Sequence, residues 1–392
     1  MENSWVHKTL GELFVFKNGL NKGKEYFGYG TPIINYMDVY KHPAIKKKYV
    51  QGRVTLSHQE LDRFRVLKGD VFFTRTSETP EEVGMSATLL EDIPNCSFSG
   101  FVLRARPLTD LLIPEYCVYA FTAKEIRASI IKNCTYTTRA LTNGRVLASL
   151  KLPIPSLAEQ QRIASALSDA DALVAELDVL IEKKRAIMAG TMQELLTGKR
   201  RLQGFDEPWS EEVLRNHLSF LPGFPFTSDR FSKVACGPRL IRNRDLHSDD
   251  QVVYYTGEYS NQYIIENGDL LIGMDGDFTP CLWEKGNAVL NQRVGRIICK
   301  NTANIVFLYY LLQKPLAELQ KSTGATTVKH LSHSTIKNMV CRVPKLAEQH
   351  AIATILSDMD AEIAELEAKR DKYKEVRQGM MQQLLTGKIR LI

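Results

Sequence analysis

One stretch of the chain occurs twice, 189 residues apart and without a gap. The copies begin at Pro155 and Pro344, open on Pro-x-Leu-Ala-Glu-Gln, close on Leu-Leu-Thr-Gly-Lys, and agree at roughly half of their paired positions. A repeat of this length constrains the whole architecture, because each copy belongs to one repeated structural element. The sequence therefore predicts two half-molecules, each a globular segment followed by the repeated stretch.

Both copies have the residue spacing of a long helix. Apolar residues recur at alternating steps of four and three, the period of a coiled-coil seam. Because an α-helix rises about 1.5 Å per residue, about forty residues would form a rod of about 60 Å. The predicted seam consists of Ile163, Leu167, Val174, Leu177, Ile181 and Met188 in the first helix and Ile352, Leu356, Ile363, Leu366 and Leu384 in the second.

The ends of the two stretches also carry helix signals. Ser156 stands three residues before Glu159, which is the pattern of a capping box at a helix start. Lys345 replaces the serine in the second copy, so we expect a weaker cap there. Gly198 and Gly387 are suited to the left-handed conformation that ends many helices.

Charged residues interrupt both seams, at Lys184, Arg370 and Arg377. Two imperfect seams of similar sequence favour packing against each other, as a pseudo-twofold, antiparallel coiled-coil spacer. Some apolar helix surface would then remain for another protein. The alternative is that these are two ordinary amphipathic helices in separate domains.

The globular segments repeat more faintly. Leu67–Phe73 and Glu266–Ile272 each place a Gly-Asp turn before a short apolar strand. A second strand, a helix-like stretch and a Thr-rich segment follow in both halves, which predicts an α+β fold. The predicted boundaries are a globular domain at 1–154, a helix at 155–198, a second globular domain with its linker at 199–343, and a helix at 344–392.

Composition limits the classes of protein that the chain can represent. Hydrophobic residues make up 44% of the sequence, enough for two cores, and no apolar run has the length of a membrane span or a signal peptide. Seven scattered cysteines without a Cys-x-x-Cys pair indicate reduced thiols in a cytoplasmic protein. The net charge of +6 permits a nucleic-acid partner without requiring one.

No catalytic motif is convincing. The Gly-Lys pair at Gly198 lacks the earlier glycine of a phosphate-binding loop, and no Asn/Asp-Pro-Pro-aromatic motif for base methylation is present. His330 and His333 lie close together without a third metal ligand, so no metal site is predicted. Asp70 and Asp269 follow glycines, where capping of a turn is the expected role. We therefore expect a non-catalytic chain.

The order of domain, helix, domain and helix, with the shared opening and close of the helices, resembles the DNA-specificity subunit of type I restriction–modification systems. The Gly-Asp turns and the Leu-Asn-Gln-Arg-Val-Gly segment at Leu290–Gly295 agree with this resemblance, which covers essentially the whole chain.

The resemblance implies that each globular domain is a target-recognition domain that reads one half of a split DNA target at base edges. The helices would fix the separation of the two half-sites. Two adenine-N6 methyltransferase subunits and two motor–nuclease subunits are the implied partners. S-adenosylmethionine, ATP and Mg²⁺ are then expected on those partners, with no cofactor in this chain.

Candidate DNA contacts are polar residues in segments that read as loops. Asn291, Gln292 and Arg293 form the strongest cluster, because Asn and Gln suit adenine and Arg suits guanine. Strand-edge polar residues or solvated loops are the alternative reading for all candidates. The others are Lys46, Lys47 and Lys48, Arg75, Thr76 and Ser77, Met274 and Asp275, Arg139, Lys329 and His330, and a basic stripe suited to phosphates at Arg239, Arg242 and Arg244.

Two other functions stay open at this point. The chain could serve a methyltransferase alone, in a modification system without restriction. It could also be a coiled-coil scaffold in which the repeat only mediates assembly. A motor–nuclease gene near the gene for this chain would favour full restriction–modification over the first alternative. The salt dependence of DNA binding tests the second alternative, because a protein that reads DNA loses affinity steeply as the salt concentration rises.

Overall fold

The computed structural model describes residues 5–322 and 330–391 and divides into two compact units. Unit 1 contains the residues up to Asp178 together with those from Lys369 onward, and unit 2 contains Val179–Ala368. Each unit is thus a globular domain with parts of both long helices. The boundaries predicted at residues 154, 198 and 343 follow the sequence repeat and stay predictions.

Unit 1 is built around a mixed five-stranded sheet. The strands of this unit are β1 (Val6–Thr9), β2 (Phe14–Asn18), β3 (Phe27–Ile34), β4 (Ala44–Ile45), β5 (Arg53–Val54), β6 (Val71–Thr74), β7 (Thr76–Ser77), β8 (Ser86–Leu89), β9 (Ser97–Phe98), β10 (Val102–Pro107), β11 (Thr135–Tyr136), β12 (Ala140–Leu141) and β13 (Lys151–Ile154). The main sheet has the order β2-β10-β6-β8-β4, and β10 is antiparallel to both of its neighbours. Smaller sheets join β1 to β13, β11 to β12 and β7, and β5 to β3 and β9.

The central strands of unit 1 are apolar on both faces, because both faces are covered. Phe73 and Leu103 pack with the long-helix residue Ile163 in one core, whereas Phe72 and Phe98 lie in a second core on the other face. The helices that begin in this unit are α1 (Leu10–Leu13), α2 (Tyr36–Lys41), α3 (His58–Phe64), α4 (Pro114–Ala120), α5 (Lys124–Lys132), α6 (Gly144–Ala148) and α7 (Leu157–Leu195).

Unit 2 repeats this plan with a different strand inventory. Its strands are β14 (Ser210–Val213), β15 (Leu218–Pro222), β16 (Phe231–Ser232), β17 (Arg239–Ile241), β18 (Val253–Tyr255), β19 (Ile264–Ile265), β20 (Leu270–Gly273), β21 (Pro280–Leu282), β22 (Ala288–Leu290), β23 (Val294–Cys299) and β24 (Val340–Val343). Its helices are α8 (Ile305–Ser322), α9 (His333–Lys337) and α10 (Leu346–Leu384). The order β15-β23-β20 matches β2-β10-β6 of unit 1, and β14 pairs with β24 as β1 pairs with β13.

The Gly-Asp turns are confirmed as turns held by an aspartate. Asp70 Oδ2 accepts a hydrogen bond from the main-chain N–H of Leu67 at 2.8 Å, and Asp269 Oδ2 accepts one from Glu266 at 2.9 Å. An arginine of the neighbouring strand then pairs with each carboxylate, and Arg296 Nη1 lies 3.2 Å from Asp269. Both aspartates therefore have a structural role in these turns.

The two long helices run antiparallel within each unit. In unit 1, Arg370 of α10 pairs with Asp178 of α7, and Arg377 pairs with the earlier residue Asp171. In unit 2, Lys184 Nζ of α7 lies 2.6 Å from Glu362 of α10. The three charges that interrupt the predicted seams thus each bind a carboxylate of the opposite helix.

The predicted seam residues lie largely inside. Ile163, Leu167, Ile352 and Leu356 are at most 1% exposed, and Val174 and Leu366 are half-buried. The remaining seam residues Leu177, Ile181, Met188, Ile363 and Leu384 are also buried. Together with the repeated sheets, this arrangement confirms the predicted α+β fold of two similar domains alternating with two long helices.

The capping box predicted at the start of α7 forms only in part. Ser156 Oγ accepts a hydrogen bond from the main-chain N–H of Glu159 at 3.3 Å, as predicted. The Glu159 carboxylate instead binds Trp5 and Arg390, because a tertiary ion pair replaces the local return bond. The predicted helix ends are confirmed, since Gly198 and Gly387 have φ angles of 69° and 70°.

None of the described helices is both long and apolar enough to cross a membrane.

Candidate nucleic-acid interface

In each unit, a buried glutamate in the first turn of one long helix binds a tryptophan and an arginine, and the arginine follows the end of the other long helix. In unit 1, the Glu159 carboxylate accepts hydrogen bonds from Trp5 Nε1 at 3.0 Å and from Arg390 Nε at 2.6 Å. In unit 2, Glu348 accepts from Trp209 Nε1 at 2.9 Å and from Arg201 Nε at 2.8 Å. Both glutamates are buried, and the side chain of each is 3% exposed. The segment predicted as a linker after α7 is therefore anchored through its arginine.

The glutamine that follows each glutamate ties the helix to the globular domain. Gln160 Oε1 accepts a hydrogen bond from the Ile113 N–H at 3.0 Å, and Gln349 Oε1 accepts one from the Asn304 N–H at 2.9 Å. Both glutamines are fully buried. The shared Glu-Gln pair thus sets each globular domain on the first turn of a long helix.

The opposite end of the central strands carries an equivalent turn in each unit. In unit 1, Arg75 donates its main-chain N–H to Phe101 and accepts from Thr142, at 3.1 and 2.9 Å. In unit 2, Met274 donates to Arg293 at 2.8 Å and accepts from Leu331 at 2.7 Å. We call these the strand-end sites: Arg75, Phe101 and Thr142 in unit 1, and Met274, Arg293 and Leu331 in unit 2.

The strand-end sites are remote from the starts of the long helices. In unit 2, Arg293 precedes β23, whereas the bond between Asn304 and Gln349 lies beyond its last residue, Cys299. Six strand residues at about 3.3 Å each separate these ends by about 20 Å. The strand-end site and the start of the long helix therefore lie at opposite ends of the central strands.

Three residues predicted from separate segments come together at the unit 2 site. Asp275 Oδ1 lies 2.8 Å from His330 Nδ1, and Asp275 Oδ2 lies 3.3 Å from Arg293 Nε. Arg293 Nη1 is 3.4 Å from His330 Nδ1. Met274 is only 7% exposed and belongs to the core, so it supports this cluster through its backbone. Lys329 lies outside the described residues.

The predicted Asn291–Arg293 cluster divides between core and surface. Asn291 is 8% exposed, and its Oδ1 accepts no hydrogen bond from the described residues. Gln292 and Arg293 are exposed. Since a base edge can reach only exposed side chains, direct readout is open to Gln292 and Arg293 as the structure stands.

The strand-end site of unit 1 carries an exposed aromatic residue. Phe101 is 66% exposed, although it was not among the residues predicted from the sequence. Arg75 Nη1 donates to the carbonyl of Gly100, the residue before Phe101, at 2.8 Å, which restrains the Arg75 side chain. Thr76 pairs with Leu141 in a small sheet. The other two candidates differ in access, because Ser77 is buried and bonds to Glu82 whereas Arg139 is exposed.

The predicted basic stripe of unit 2 is largely neutralised. Arg239 pairs with Asp249, and Arg242 Nε lies 2.7 Å from Asp245. Arg244 is exposed and reaches Gln251 at 3.4 Å. Pairing with carboxylates lowers the attraction of the first two residues for phosphate.

Lys46, Lys47 and Lys48 are exposed in unit 1 on a short 3₁₀ turn, Lys47–Tyr49. Lys48 Nζ lies 5.0 Å from the Tyr49 ring centroid. The Lys47 main-chain N–H donates to Glu91 at 2.8 Å. Their ammonium groups remain accessible to an anionic partner.

Unit 1 also contains a basic cluster that the sequence reading missed, formed by Lys17, Arg63, Arg104 and Arg106. Lys17 Nζ and the Arg63 guanidinium lie 5.3 and 5.4 Å from the Phe64 ring centroid. Burial, and then the nearby charges of Arg104, Arg63 and Arg106, lower the pKa of Lys17. The alternation of Arg104 and Arg106 along one strand was the available signal.

Within residues 5–322 and 330–391, no three His, Cys, Asp or Glu side chains are grouped as ligands of a metal ion would be. The described polar clusters are ion pairs and hydrogen-bonded turns. Their chemistry suits recognition of an anionic, hydrogen-bonding surface.

Comparison with known proteins gives consistent matches. The family model described as the type I restriction modification DNA specificity domain matches residues 2–183 and 232–375. The chain is similar to the EcoBI specificity subunit of a type I restriction enzyme from Escherichia coli, with 33% identity over 193 residues, which is 48% of this chain and 41% of that protein. It is also similar to the putative MjaX specificity subunit from Methanocaldococcus jannaschii, with 24% identity across 99% of this chain and 94% of that one.

The alignment therefore spans less than half the length of the E. coli relative and nearly all of the M. jannaschii relative. Two solved structures share the fold. The S subunit of a type I restriction–modification system from M. genitalium has a TM-score of 0.60 and 18% identity, covering 98% of this chain and 97% of that one. A chain from a structure that describes complex assembly of the type I system has a TM-score of 0.62 and 18% identity, covering 98% of both.

Proposed function

The chain belongs to the type I restriction–modification DNA-specificity family, and we propose that it reads a bipartite DNA target, one block with each unit. The single observation that carries this proposal is the duplication of the unit plan. Trp5, Glu159 and Arg390 close unit 1 with the contacts that Trp209, Glu348 and Arg201 make in unit 2. A duplicated scaffold provides two readers.

The two units share one fold but expose different side chains at their strand-end sites. Phe101 and Arg293 occupy equivalent turns, as their main-chain bonds to Arg75 and Met274 indicate. Because an aromatic ring and a guanidinium recognise different features of DNA, the two blocks should differ in sequence. The long helices, which join the two readers along the chain, set a gap of fixed length between the blocks.

Catalysis is assigned to partner subunits. The described residues offer ion pairs and turns, and a relative of the same fold comes from a structure of complex assembly in the type I system. We infer that two adenine-N6 methyltransferase subunits bind this chain, one for each unit, and that motor–nuclease subunits join them. S-adenosylmethionine, ATP and Mg²⁺ would then act on those partners.

The test is a methylation map. The chain is co-expressed with the methyltransferase encoded beside it in a host without adenine methylation, and N6-methyladenine is located across the genome. We expect one interrupted motif, methylated on both strands. A continuous motif would contradict the two-reader proposal. Loss of methylation despite a stable complex and bound S-adenosylmethionine would favour a scaffold role.

A further inference from the structure

Arg293 has a backbone conformation that side chains rarely adopt. Its φ angle is 73°, in the left-handed region, and its side chain is 56% exposed. Within the described residues, the other non-glycine residue with positive φ is Asn95, a residue type that tolerates this conformation. Strain of this kind persists where the surroundings hold the residue in place, and it occurs often at functional sites.

The Arg293 side chain is also held. Asp275 Oδ2 lies 3.3 Å from its Nε atom. His330 Nδ1 is 3.4 Å from Arg293 Nη1, but a ring nitrogen that donates to Asp275 cannot also accept from Arg293, so His330 acts on Arg293 through Asp275. Asp275 is itself held by His330 at 2.8 Å and through its carbonyl oxygen, which accepts a hydrogen bond from the Asn243 side chain. The cluster therefore fixes a long and exposed side chain that would otherwise sample many rotamers.

We propose that Arg293 reads a guanine in the block bound by unit 2, and that Asp275 and His330 are positioning residues for its guanidinium. This inference rests on the proposed function. A guanidinium recognises guanine through two parallel hydrogen bonds to O6 and N7. Asp275 occupies the Nε edge, which leaves the outer N–H groups of the terminal nitrogens for the base.

The neighbouring charge favours a base over a phosphate. A carboxylate 3.3 Å from the guanidinium repels a phosphate oxygen and lowers the local positive potential. The same carboxylate orients the guanidinium, and its repulsion of the uncharged edge of a base is small. Arg293 thus differs from Arg63 of unit 1, which lies beside Lys17 at the Phe64 ring and near the charges of Arg104 and Arg106.

Unit 1 has different chemistry at the equivalent position. Phe101 takes the place of Arg293 and is 66% exposed, and Arg75 takes the place of Met274. Phe101 offers no hydrogen bond to a base edge. The guanine preference is therefore assigned to the unit 2 block alone, and Phe101 provides a matched position for a control.

The experiment compares methylation maps of the assembled complex with wild-type chain, Arg293→Ala, Arg293→Gly, Asp275→Asn and Phe101→Ala. A bidentate contact favours guanine over the other bases by about 5- to 150-fold. With Arg293→Ala we expect this preference for guanine to be lost at one position of one block. All other positions should stay as in the wild type. Phe101→Ala should leave that block unchanged.

Arg293→Gly separates readout from folding. Glycine adopts positive φ without strain, so the melting temperature of this variant should not fall below that of the wild type. The guanine preference should nevertheless be lost. Asp275→Asn should weaken the preference at the same position while the melting temperature stays within about 2 °C, because asparagine keeps the shape of the half-buried side chain and the main-chain bond to Asn243.

The outcomes separate the two proposals. A wild-type map without an interrupted motif contradicts the proposed function and removes the premise of this inference. An interrupted motif that survives unchanged in both Arg293 variants overturns the assignment of Arg293 while the proposed function stands. Uniform loss of methylation in Arg293→Gly, with the complex intact, also overturns it, because a base contact acts at one position.

Discussion

Arg390 binds the carboxylate of Glu159 across 231 residues of sequence, through Nε at 2.6 Å and Nη2 at 2.7 Å. Trp5 donates to the same carboxylate, so residues from three distant parts of the chain meet at the first turn of α7. The equivalent contact of Arg201 with Glu348 in unit 2 provides an independent copy of the arrangement.

Arg390→Ala should destabilise unit 1. The substitution leaves the buried Glu159 carboxylate with one fewer charged donor, and we expect a cost of about 1–3 kcal/mol, since Glu159 is 3% exposed and Arg390 is 27% exposed. Thermal melts would measure the effect. Arg185→Ala is the control, because Arg185 is half-exposed and solvent screens its ion pairs with Glu182 and Glu367, so its loss should change the melting temperature less. Equal shifts for both variants would contradict the assigned role of Glu159.

The contribution of Glu159 should depend on pH. The hydrogen bond from Arg390 holds the pKa of Glu159 below its ordinary value of 4.5. A carboxyl group with a lower pKa in the folded state stabilises the fold above its unfolded pKa, and this stabilisation is lost as the pH falls through the folded pKa. The loss of stability in Arg390→Ala should therefore be full at pH 7 and shrink below about pH 4.5. Denaturant titrations at both pH values would show it, and an effect that grows in acid would refute the assignment.

Glycines inside and at the ends of the long helices should respond in opposite directions to alanine. Gly387 has a φ of 70°, and an added Cβ would lie 3.3 Å from Trp5, so Gly387→Ala should cost about 1–2 kcal/mol. Gly379 lies within α10 with no atom inside 4 Å of an added Cβ. Gly379→Ala should therefore stabilise the helix by about 0.5–1 kcal/mol. Melting temperatures that fall in both variants would contradict this reading of the helix end.

The basic cluster of unit 1 should contribute to DNA affinity without contributing to sequence preference. Arg63 is an exposed member of this cluster. Arg63→Ala should weaken binding of the assembled complex equally for target and non-target duplexes, and reduce the slope of log K against log salt by about one. Binding titrations over a range of salt would measure the slope. A change restricted to the target duplex would assign Arg63 to base readout.

Local patterns in the sequence predicted the elements well. The alternation of Ile163, Leu167 and their successors predicted α7, and Gly198 and Gly387 predicted the helix ends, because these signals act within one or two turns. The tertiary partners were not predictable in the same way. Only the fold brings Trp5 and Trp209 each to a glutamate in the opening turn of a long helix.

The recognition residues show the same limit. Asp275, Arg293 and His330 were predicted one by one as DNA contacts, while their mutual ion pairs depend on a turn, a strand end and a loop meeting. Asn291 has the polarity of a base-reading residue and lies in the core. Phe101 was overlooked because an aromatic residue in a strand pattern normally indicates burial. The exposure of Asn291 and Phe101 depends on how the strands pack in the folded sheet, which the local sequence does not determine.

The division of α10 between the units has a consequence for synthesis. Unit 2 is continuous from Val179 to Ala368, whereas unit 1 needs the residues from Lys369 onward, including Gly387 and Arg390. A ribosome makes those residues after every other part of unit 1. Translation therefore completes unit 2 first, and the ion pair between Glu159 and Arg390 can form only after the segment beyond the end of α10 has emerged.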